Sequence, residues 1–452
     1  MKSANCILIK NIHIVNENKI KIGDVLIENG LISKIGIGIE ATCNKTVDGS
    51  GKYLFPGIID GQVHFRDPGL THKGDLYTES KAAIAGGTTS FIDMPNTVPN
   101  VLSMDILNQK YEIAAQKSLA NFSFFLGVNG DNLDEVIQTD TSHLLGVSDD
   151  GLYFTKKGNL LADNPETMEK LFSNCKSIIA IHSEKEQIVE ENEELYKEQY
   201  GENVPIEFHP VIRSEKACYE ATKRAISIAN KHNARLHILH LTTEAETHLF
   251  RNDIPLKEKR ITTEVSVHHL WFSDKDYQKL GTLIKWNPAI KTEKDKKGLL
   301  KALIEDKIDI VTTDHAPHTL EEKQKTYFQA MSGAPIVQHS LNIMLEFYKQ
   351  DLISLEKIAE KMCHNPATLY DIEKRGFIRE GYYADLCIVD LNTEWTVEKN
   401  NLLSKCGWSP LEGTTFHSNI THTFVNGHLV YENGKFDESH KGMPLVKNIS
   451  KE

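Results

Sequence analysis

Histidine and aspartate side chains stand at the ends of several apolar runs in this sequence. Asp314 ends the run 308–313, His182 ends 177–181 and His240 ends 236–239. A lone histidine in such a place is more often a hydrogen-bonded structural residue than a ligand. A repeated arrangement of imidazoles and carboxylates is instead typical of zinc or another divalent cation. Two such cations about 3.5–4 Å apart activate water and polarise a carbonyl, so the residue types predict metal-assisted hydrolysis.

Strand-like and helix-like segments alternate through the middle of the chain and must position these side chains. The predicted strands are 88–93, 121–127, 144–148, 177–182, 235–241, 261–266 and 308–314, and the predicted helices are about 103–118, 183–199, 213–231 and 338–349. This alternation favours an α/β fold, a parallel sheet closed into a TIM-like (β/α)8 barrel, with an open doubly wound sheet as the alternative. The carboxyl ends of barrel strands share one mouth, where we expect the side chains to converge.

Short β segments with tight turns are predicted at both ends of the chain. Residues 6–55 alternate apolar and polar side chains and contain an Asn-Gly turn at 29–30, which predicts a small antiparallel sheet. A similar pattern recurs near the C-terminus, with a predicted strand at 384–390 and a predicted hairpin at 421–431 that contains an Asn-Gly turn at 426–427. We therefore expect a composite β-sandwich domain from residues 1–55 and 383–452, and a barrel from residues 56–382.

Composition limits the classes of partner. The chain has 452 residues and a formal net charge of -12, which argues against a nucleic acid or an anionic membrane as partner but not against a small anionic substrate. No apolar run approaches the roughly 20 residues that span a bilayer, and the first residues lack a secretory apolar region. The seven scattered cysteines favour reduced thiols over a disulfide framework. We expect a cytoplasmic protein.

Successive motifs identify a family. In chain order they are Gln62-Val63-His64 with Arg66 and Pro68-Gly69, Met94-Pro95-Asn96, His182-Ser183-Glu184, His237-Ile238-Leu239-His240, Val267-His268-His269-Leu270, Trp286-Asn287-Pro288 and Asp314-His315-Ala316-Pro317-His318. On these motifs the sequence resembles the dihydroorotases, cyclic-amide hydrolases of the amidohydrolase superfamily, over nearly its full length. The resemblance implies a metallo-hydrolase barrel, one or two Zn²⁺ ions and a homodimer.

The resemblance also assigns roles around the expected metal centre. It implies that His64 and Asp314 bind one ion, that His182 and His240 bind the other, and that Asp150 takes the bridging place. Asp314 would accept a proton from the attacking water and pass it to the leaving nitrogen, as one carboxylate acting first as base and then as acid.

The substrate-binding residues implied by the resemblance are Arg66, Asn96, Asn287 and His318. Dihydroorotate carries a carboxylate that the Arg66 guanidinium can bind through two parallel hydrogen bonds, whereas uncharged rings offer nothing comparable. An ion pair of Arg66 with Asp67 or Asp75 is the structural alternative. Asn287 precedes a proline, so a turn residue is the alternative there.

Two departures from the family pattern keep other functions open. Gln62 stands where the family has the first histidine of its His-x-His motif, and an amide oxygen is a poorer zinc ligand than imidazole. Asp150 stands where near relatives carry a lysine. The sequence therefore predicts a dihydroorotase, with another cyclic-amide hydrolase (an allantoinase or hydantoinase-like enzyme) and a non-catalytic scaffold as alternatives.

Overall fold

The computed structural model describes residues 6–149 and 165–448. Its strands are β1 Cys6–Asn16, β2 Lys19–Glu28, β3 Leu31–Gly36, β4 Lys45–Asp48, β5 Tyr53–Pro56, β6 Ile58–Val63, β7 Thr88–Asp93, β8 Asn121–Phe124, β9 Leu126–Gly127, β10 Gly146–Ser148, β11 Ile178–Ile181, β12 Leu236–Ile238, β13 Ile261–Ser266, β14 Ile310–Thr312, β15 Leu386–Asp390, β16 Trp395–Thr396, β17 Thr415–Phe416, β18 Asn419–Val425, β19 His428–Glu432 and β20 Lys435–Phe436. Its α-helices are α1 Leu76–Ala85, α2 Met104–Lys117, α3 Leu133–Gln138, α4 Pro165–Asn174, α5 Glu186–Tyr200, α6 His209–Ile212, α7 Glu215–His232, α8 Glu244–Thr247, α9 Val267–Trp271, α10 Tyr277–Leu280, α11 Glu293–Ile304, α12 Leu320–Lys323, α13 Ser340–Lys349, α14 Leu355–Ala359 and α15 Asn365–Leu369.

Strands β6 to β14 form a closed parallel barrel. Six of them pair in the order β14-β13-β12-β11-β10-β9, and β6, β7 and β8 pair in sequence. Strands β8 and β9 are two halves of one barrel strand, interrupted at Phe125. The barrel closes between its first and last strands, where a parallel bridge joins Val63 to His315. The predicted barrel is confirmed, and the open doubly wound sheet is wrong.

Alternation along the barrel strands directs the site residues into the mouth. Ile178 and Ala180 of β11 pack in one apolar cluster, whereas Ile179 and Ile181 pack in another. Successive side chains of a strand point to opposite faces, so His182 continues the face of Ile178 and Ala180. The same rule places Asp314 on the face of Ile310, two positions beyond Thr312.

Strands from both ends of the chain join in a second sheet. Its order is β20-β19-β18-β15-β5-β1-β2-β3, and β5 pairs antiparallel with β15, so the two ends share one sheet as expected. Both Asn-Gly turns occur as predicted, with positive φ at each of their residues, as a type I′ hairpin requires. The all-antiparallel N-terminal sheet is wrong, because β4 and β5 both pair parallel with β1. The boundaries at 55/56 and 382/383 stay a prediction.

The cysteine prediction is wrong for one pair. Cys6 and Cys43 form a disulfide, while Cys175, Cys218, Cys363, Cys387 and Cys406 are free thiols. The pairing of β4 with β1 brings the two partners together, since Asn44 N donates to Cys6 O at 3.0 Å. The two cysteines are 37 residues apart in the sequence, so their proximity could not be predicted from their spacing. None of the helices in the described ranges is long and apolar enough to span a membrane.

Asp385 joins the barrel to the second sheet, and its removal should destabilise the fold. Its carboxylate forms an ion pair with Arg375 and accepts from Asn121 Nδ2 at 3.1 Å and from Asn426 N at 2.7 Å. We expect Asp385→Ala to lower the free energy of unfolding by about 3–5 kcal/mol, because it leaves the Arg375 charge buried without its partner. Urea denaturation measures the change.

Asp253→Ala is the control for that experiment. Asp253 pairs with Arg251 on the surface, where both side chains are more than half exposed, so its loss should leave the unfolding midpoint unchanged. Equal midpoints for the two variants would contradict the assigned role of Asp385.

Candidate active site

A pocket opens at the carboxyl ends of the barrel strands, with an empty volume of about 400 Å³. Its lining residues are His64, Arg66, Asn96, His182, Trp286, Asn287, Asp314, Ala316, Ser332 and Gly333. His240 lies against His182, and His318 lies against Arg66. The structure thus brings together the predicted site residues that it describes. Asp150 lies outside the described residues.

His64 and Asp314 face each other across the closure of the barrel. His64 Nε2 is 3.0 Å from Asp314 Oδ1, and His64 Nδ1 is 2.8 Å from Asn96 Oδ1. Since an amide oxygen only accepts, Nδ1 donates to Asn96, and Nε2 is the ring nitrogen turned towards the carboxylate. A neutral imidazole in this tautomer presents a lone pair to the carboxylate oxygen, an arrangement that a cation shared by both atoms would stabilise. Asn96 therefore orients His64, a role that its sequence position did not suggest.

His182 and His240 form the second pair, with ring centroids 4.8 Å apart. Asp149 accepts from His182 N at 3.1 Å and from His182 Nδ1 at 2.9 Å. This carboxylate fixes the tautomer and ring orientation of His182, so Nε2 is the nitrogen that can serve as a ligand. The family resemblance pointed to Asp150, and sequence reasoning gave no role to the adjacent Asp149. The signal was the buried strand β10, which ends one residue before Asp149.

His240 carries two ring nitrogens that have no hydrogen-bond partner among residues 6–149 and 165–448. The residue is only 1% exposed. Burial and the neighbouring His182 ring hold the pKa of His240 well below its ordinary value, so the ring is neutral. A neutral, buried and unsatisfied imidazole is the form in which histidine binds a metal.

The side chain of Gln62 is in a similar state. It is fully buried, and neither its amide oxygen nor its amide nitrogen has a hydrogen-bond partner in the described part of the chain. Leaving such a group unsatisfied costs about 1–3 kcal/mol. The described residues contain no group of three or more His, Cys, Asp or Glu side chains already gathered around one point. The donors nevertheless fit a cation, because His64 and Asp314 lie at the same pocket as His182 with its neighbour His240, and the unsatisfied Gln62 amide lies two residues before His64 in the sequence.

Arg66 forms the positively charged wall of the pocket. The residue is 2% exposed, its Nε donates to Pro317 O at 3.2 Å, and its Nη2 lies 3.1 Å from His318 Nε2. Burial and the Arg66 charge hold the pKa of His318 well below its ordinary value, so His318 adds no charge of its own. Lys73 lies on the other side of the His318 ring, with its Nζ 3.0 Å from His318 Nδ1 and 2.8 Å from Glu322 Oε1, so its charge is paired with that carboxylate.

The acids that the sequence offered as ion-pair partners of Arg66 are engaged elsewhere. Asp67 pairs with Lys117 at 2.8 Å, and Asp75 pairs with Lys405 at 2.6 Å while capping helix α1. The structural ion pair with either acid is therefore wrong.

Three site residues have backbone conformations that L-amino acids rarely adopt. The φ angles are 66° for Arg66, 32° for His240 and 47° for Asp314. Such conformations cost of order 1–3 kcal/mol each and persist where surrounding contacts impose them. At Asp314 the contact is a hydrogen bond from its N to Gln62 O at 3.0 Å. The chain thus turns sharply at the strand ends, which sets the direction of each site side chain.

Buried groups behind the pocket hold its remaining wall, and sequence reasoning missed them. Lys323 is fully buried and donates to Lys285 O at 3.0 Å, Met331 O at 2.8 Å and Gly333 O at 2.7 Å. These three bonds use all three ammonium protons and fix the chain on both sides of the pocket-lining Ser332. Lys323 follows two glutamates, a pattern typical of a solvated helix, so the sequence gave no sign of its burial.

Asn287 lines the pocket beside Trp286. The Trp286 carbonyl accepts from His209 Nε2 at 2.7 Å, and His209 Nδ1 lies 2.9 Å from the Tyr327 hydroxyl. Burial holds the pKa of His209 well below its ordinary value, so the ring stays neutral, with one donor and one acceptor nitrogen. The turn before Pro288 is therefore supported from behind, with Asn287 on the pocket side.

Comparison of the sequence with known proteins identifies relatives along most of the chain. The profile of the amidohydrolase family matches residues 53–430. A dihydroorotase from Methanosarcina acetivorans is 32% identical over 417 residues, which cover 90% of this chain and 88% of that protein. A dihydroorotase from Pyrococcus furiosus is 30% identical over 426 residues, which cover 94% of this chain and 92% of that protein.

Comparison of the structure identifies the same architecture. The L-hydantoinase (dihydropyrimidinase) from Arthrobacter aurescens superposes with a TM-score of 0.89 at 24% identity and covers 98% of this chain and 99% of its own. The dihydropyrimidinase from Brevibacillus agri gives a TM-score of 0.85 at 21% identity, with 97% of each chain covered. At these identities the likeness shows the fold, a barrel with a β-sandwich. The chain therefore belongs to the amidohydrolase family, as a cyclic amidohydrolase whose sequence relatives include dihydroorotases.

Proposed function

We propose that this enzyme is a dihydroorotase, which interconverts (S)-dihydroorotate and N-carbamoyl-L-aspartate in pyrimidine (UMP) biosynthesis. The observation that carries the proposal is the buried Arg66 guanidinium, which lines the same pocket as His64, His182 and Asp314. The planar guanidinium of Arg66 matches the geometry of a carboxylate, and dihydroorotate carries a carboxylate. The dihydroorotase relatives support the same reading.

Four side chains would hold the substrate. Arg66 binds the carboxylate through its planar fork, which is itself oriented by Pro317 O. His318 is neutral, and its Nε2, which donates to Ser332 O at 3.0 Å, lies 3.1 Å from Arg66 Nη2. Asn96 and Asn287 line the pocket on either side and offer amide groups to the carboxylate and the ring. This set of contacts holds the ring amide in one orientation before reaction.

The proposed cofactor is Zn²⁺, as one or two ions per chain. His64 and Asp314 would hold one ion, with Gln62 as a further oxygen donor, and His182 and His240 would hold the other. Asp150, the proposed bridging ligand, lies outside the described residues. When bound, such ions lower the pKa of water and polarise a carbonyl.

Asp314 would move the proton. It accepts a proton from the water that attacks the ring amide carbonyl, so that a C–O bond forms at that carbon. The C–N bond then breaks, and Asp314 returns the proton to the leaving nitrogen. His64 Nε2 lies 3.0 Å from this carboxylate, and the hydrogen bond from Asp314 N to Gln62 O at 3.0 Å holds the Asp314 backbone in place.

We also propose that the enzyme acts in the cytoplasm as a homodimer. The family resemblance supports the dimer, and the five free thiols support a reducing compartment. The Cys6–Cys43 bond stands against that compartment. The net charge of -12 supports the absence of nucleic-acid partners.

Turnover of dihydroorotate by zinc-loaded protein tests the function. We expect measurable turnover by the wild type and a fall in kcat of about 10²–10⁴-fold in Asp314→Asn, because proton transfer by a positioned side chain contributes that much. Consumption of dihydroorotate is followed directly. Turnover of allantoin or a hydantoin instead of dihydroorotate would favour the other cyclic-amide hydrolases, and inactivity of the zinc-loaded wild type on all of them would favour a scaffold.

Arg66→Met should lower activity selectively towards substrates that carry a carboxylate. Loss of a buried charge-assisted contact costs about 2–5 kcal/mol, so we expect kcat/KM for dihydroorotate to fall at least about 30-fold. Arg66→Lys keeps the positive charge but loses the planar pair of donors, so its kcat/KM should lie between those of the wild type and Arg66→Met. Arg379→Met, which removes a surface guanidinium paired with Glu17, is the control and should leave kcat/KM unchanged. Similar kinetics for all the Arg66 forms would contradict the assigned role.

Asp149→Ala should weaken zinc binding without removing a ligand. Carboxylates that orient a ligating histidine contribute about 10–100-fold in metal affinity, so we expect a loss of that size. Competition with a chromophoric chelator measures the affinity. The control is Asp140→Ala, which removes an exposed acid from the connection that precedes β10. Equal zinc affinities in Asp149→Ala and the wild type would show that His182 is not a ligand oriented by Asp149.

A further inference from the structure

We propose that Glu79 and His315 form a positioning pair that sets the geometry of His64 and Asp314. The proposal rests on the proposed metal-dependent hydrolysis and adds two residues that do not line the pocket. Glu79 lies on helix α1, and His315 directly follows Asp314. Both side chains are fully buried, and their atoms Glu79 Oε2 and His315 Nε2 are 2.8 Å apart.

The hydrogen bonds of the His315 ring define its tautomer. Its Nδ1 accepts from Ile336 N at 2.9 Å and from Val337 N at 3.1 Å. Because Nδ1 only accepts, the proton sits on Nε2 and is donated to Glu79. Both ring nitrogens are thus satisfied by groups of fixed position, so the ring has a single orientation.

The backbone of His315 carries this orientation into the site. Its carbonyl accepts from His64 N at 2.8 Å, and its own N donates to Thr313 Oγ1 at 3.1 Å. The residue therefore fixes His64 from one side and the peptide of Asp314 from the other. Asp314 has a φ of 47°, a conformation that needs such support.

Glu79 anchors the pair to a distant part of the chain. Its Oε1 accepts from Lys405 N at 3.0 Å and from Thr78 Oγ1 at 2.9 Å, and its Oε2 accepts from Ser404 Oγ at 2.5 Å. With the His315 bond, the carboxylate has four donors, which satisfies a fully buried charge. The 404–405 segment thus contributes to the site although it does not line the pocket.

Glu79→Gln tests the pair. The amide keeps the size of the side chain but turns one acceptor atom into a donor, which opposes either Lys405 N or His315 Nε2. We expect zinc affinity to fall about 10–100-fold, as for other groups that orient metal ligands. In protein saturated with zinc, we expect kcat for dihydroorotate to fall about 10-fold while KM changes less than about threefold.

Asp309→Asn is the matched control. Asp309 directly precedes β14, at the end of the barrel opposite the pocket. Like Glu79 it is a buried carboxylate, 2% exposed, and it accepts from Thr263 N at 2.9 Å and Lys259 Nζ at 2.7 Å. It should lower the unfolding midpoint and leave zinc affinity and kcat unchanged. A Glu79→Gln protein that behaves like Asp309→Asn, with only its stability lowered, would overturn the proposal.

A second variant tests the pair if Glu79→Gln does not fold. Ser404→Ala removes one hydrogen-bond donor to Glu79 and should lower zinc affinity about threefold or more. A Ser404→Ala protein with wild-type zinc affinity would overturn the proposed pair. Zinc affinity does not depend on the substrate. A wild type that binds zinc but does not consume dihydroorotate therefore sinks the proposed function alone, while the zinc affinity of Glu79→Gln still decides the positioning pair.

Discussion

The closure of the barrel between its first and last strands is the constraint on which the site depends. Two backbone hydrogen bonds make it, from Asp314 N to Gln62 O and from His64 N to His315 O. They align the carboxyl end of β6 with that of β14, so residues 250 positions apart in the sequence meet at 3.0 Å. The other strands reach the mouth because each pairs in parallel register with its neighbour. The relative positions of the site residues are therefore a consequence of sheet register.

Burial around this closure gives the site its chemistry. His240 and Gln62 are buried with unsatisfied polar atoms in the described structure, and Arg66 is a buried cation. Buried polar atoms without partners are costly, and a cation bound by the imidazole and the amide would satisfy them. Arg66 lines the same pocket with a planar guanidinium, a group that matches a carboxylate. The arrangement fits the metal-dependent hydrolysis of a small carboxylated molecule that we propose.

Much of the fold and most of the site could be predicted from the sequence, because both are encoded locally. Strand β11 Ile178–Ile181, for example, is a continuous apolar run, and the polar His182 directly follows it. Sequence reasoning missed the buried residues that support the site, because their roles depend on contacts with residues distant in the sequence. Glu79 and Lys323 lie in charged stretches, and only tertiary contacts show that both are buried and fully bonded. Cys6 and Cys43 were misread for the same reason, since their pairing follows from strands that meet in parallel.

The ratio of kcat/KM for dihydroorotate to that for 5,6-dihydrouracil tests the central claim most directly. The two molecules share the ring and the scissile amide, and only dihydroorotate has the carboxylate. The buried Arg66 predicts a preference for dihydroorotate of at least about 30-fold in the zinc-loaded wild-type enzyme. Equal values, or a preference for dihydrouracil, would contradict the account, because the guanidinium would then bind no part of the substrate.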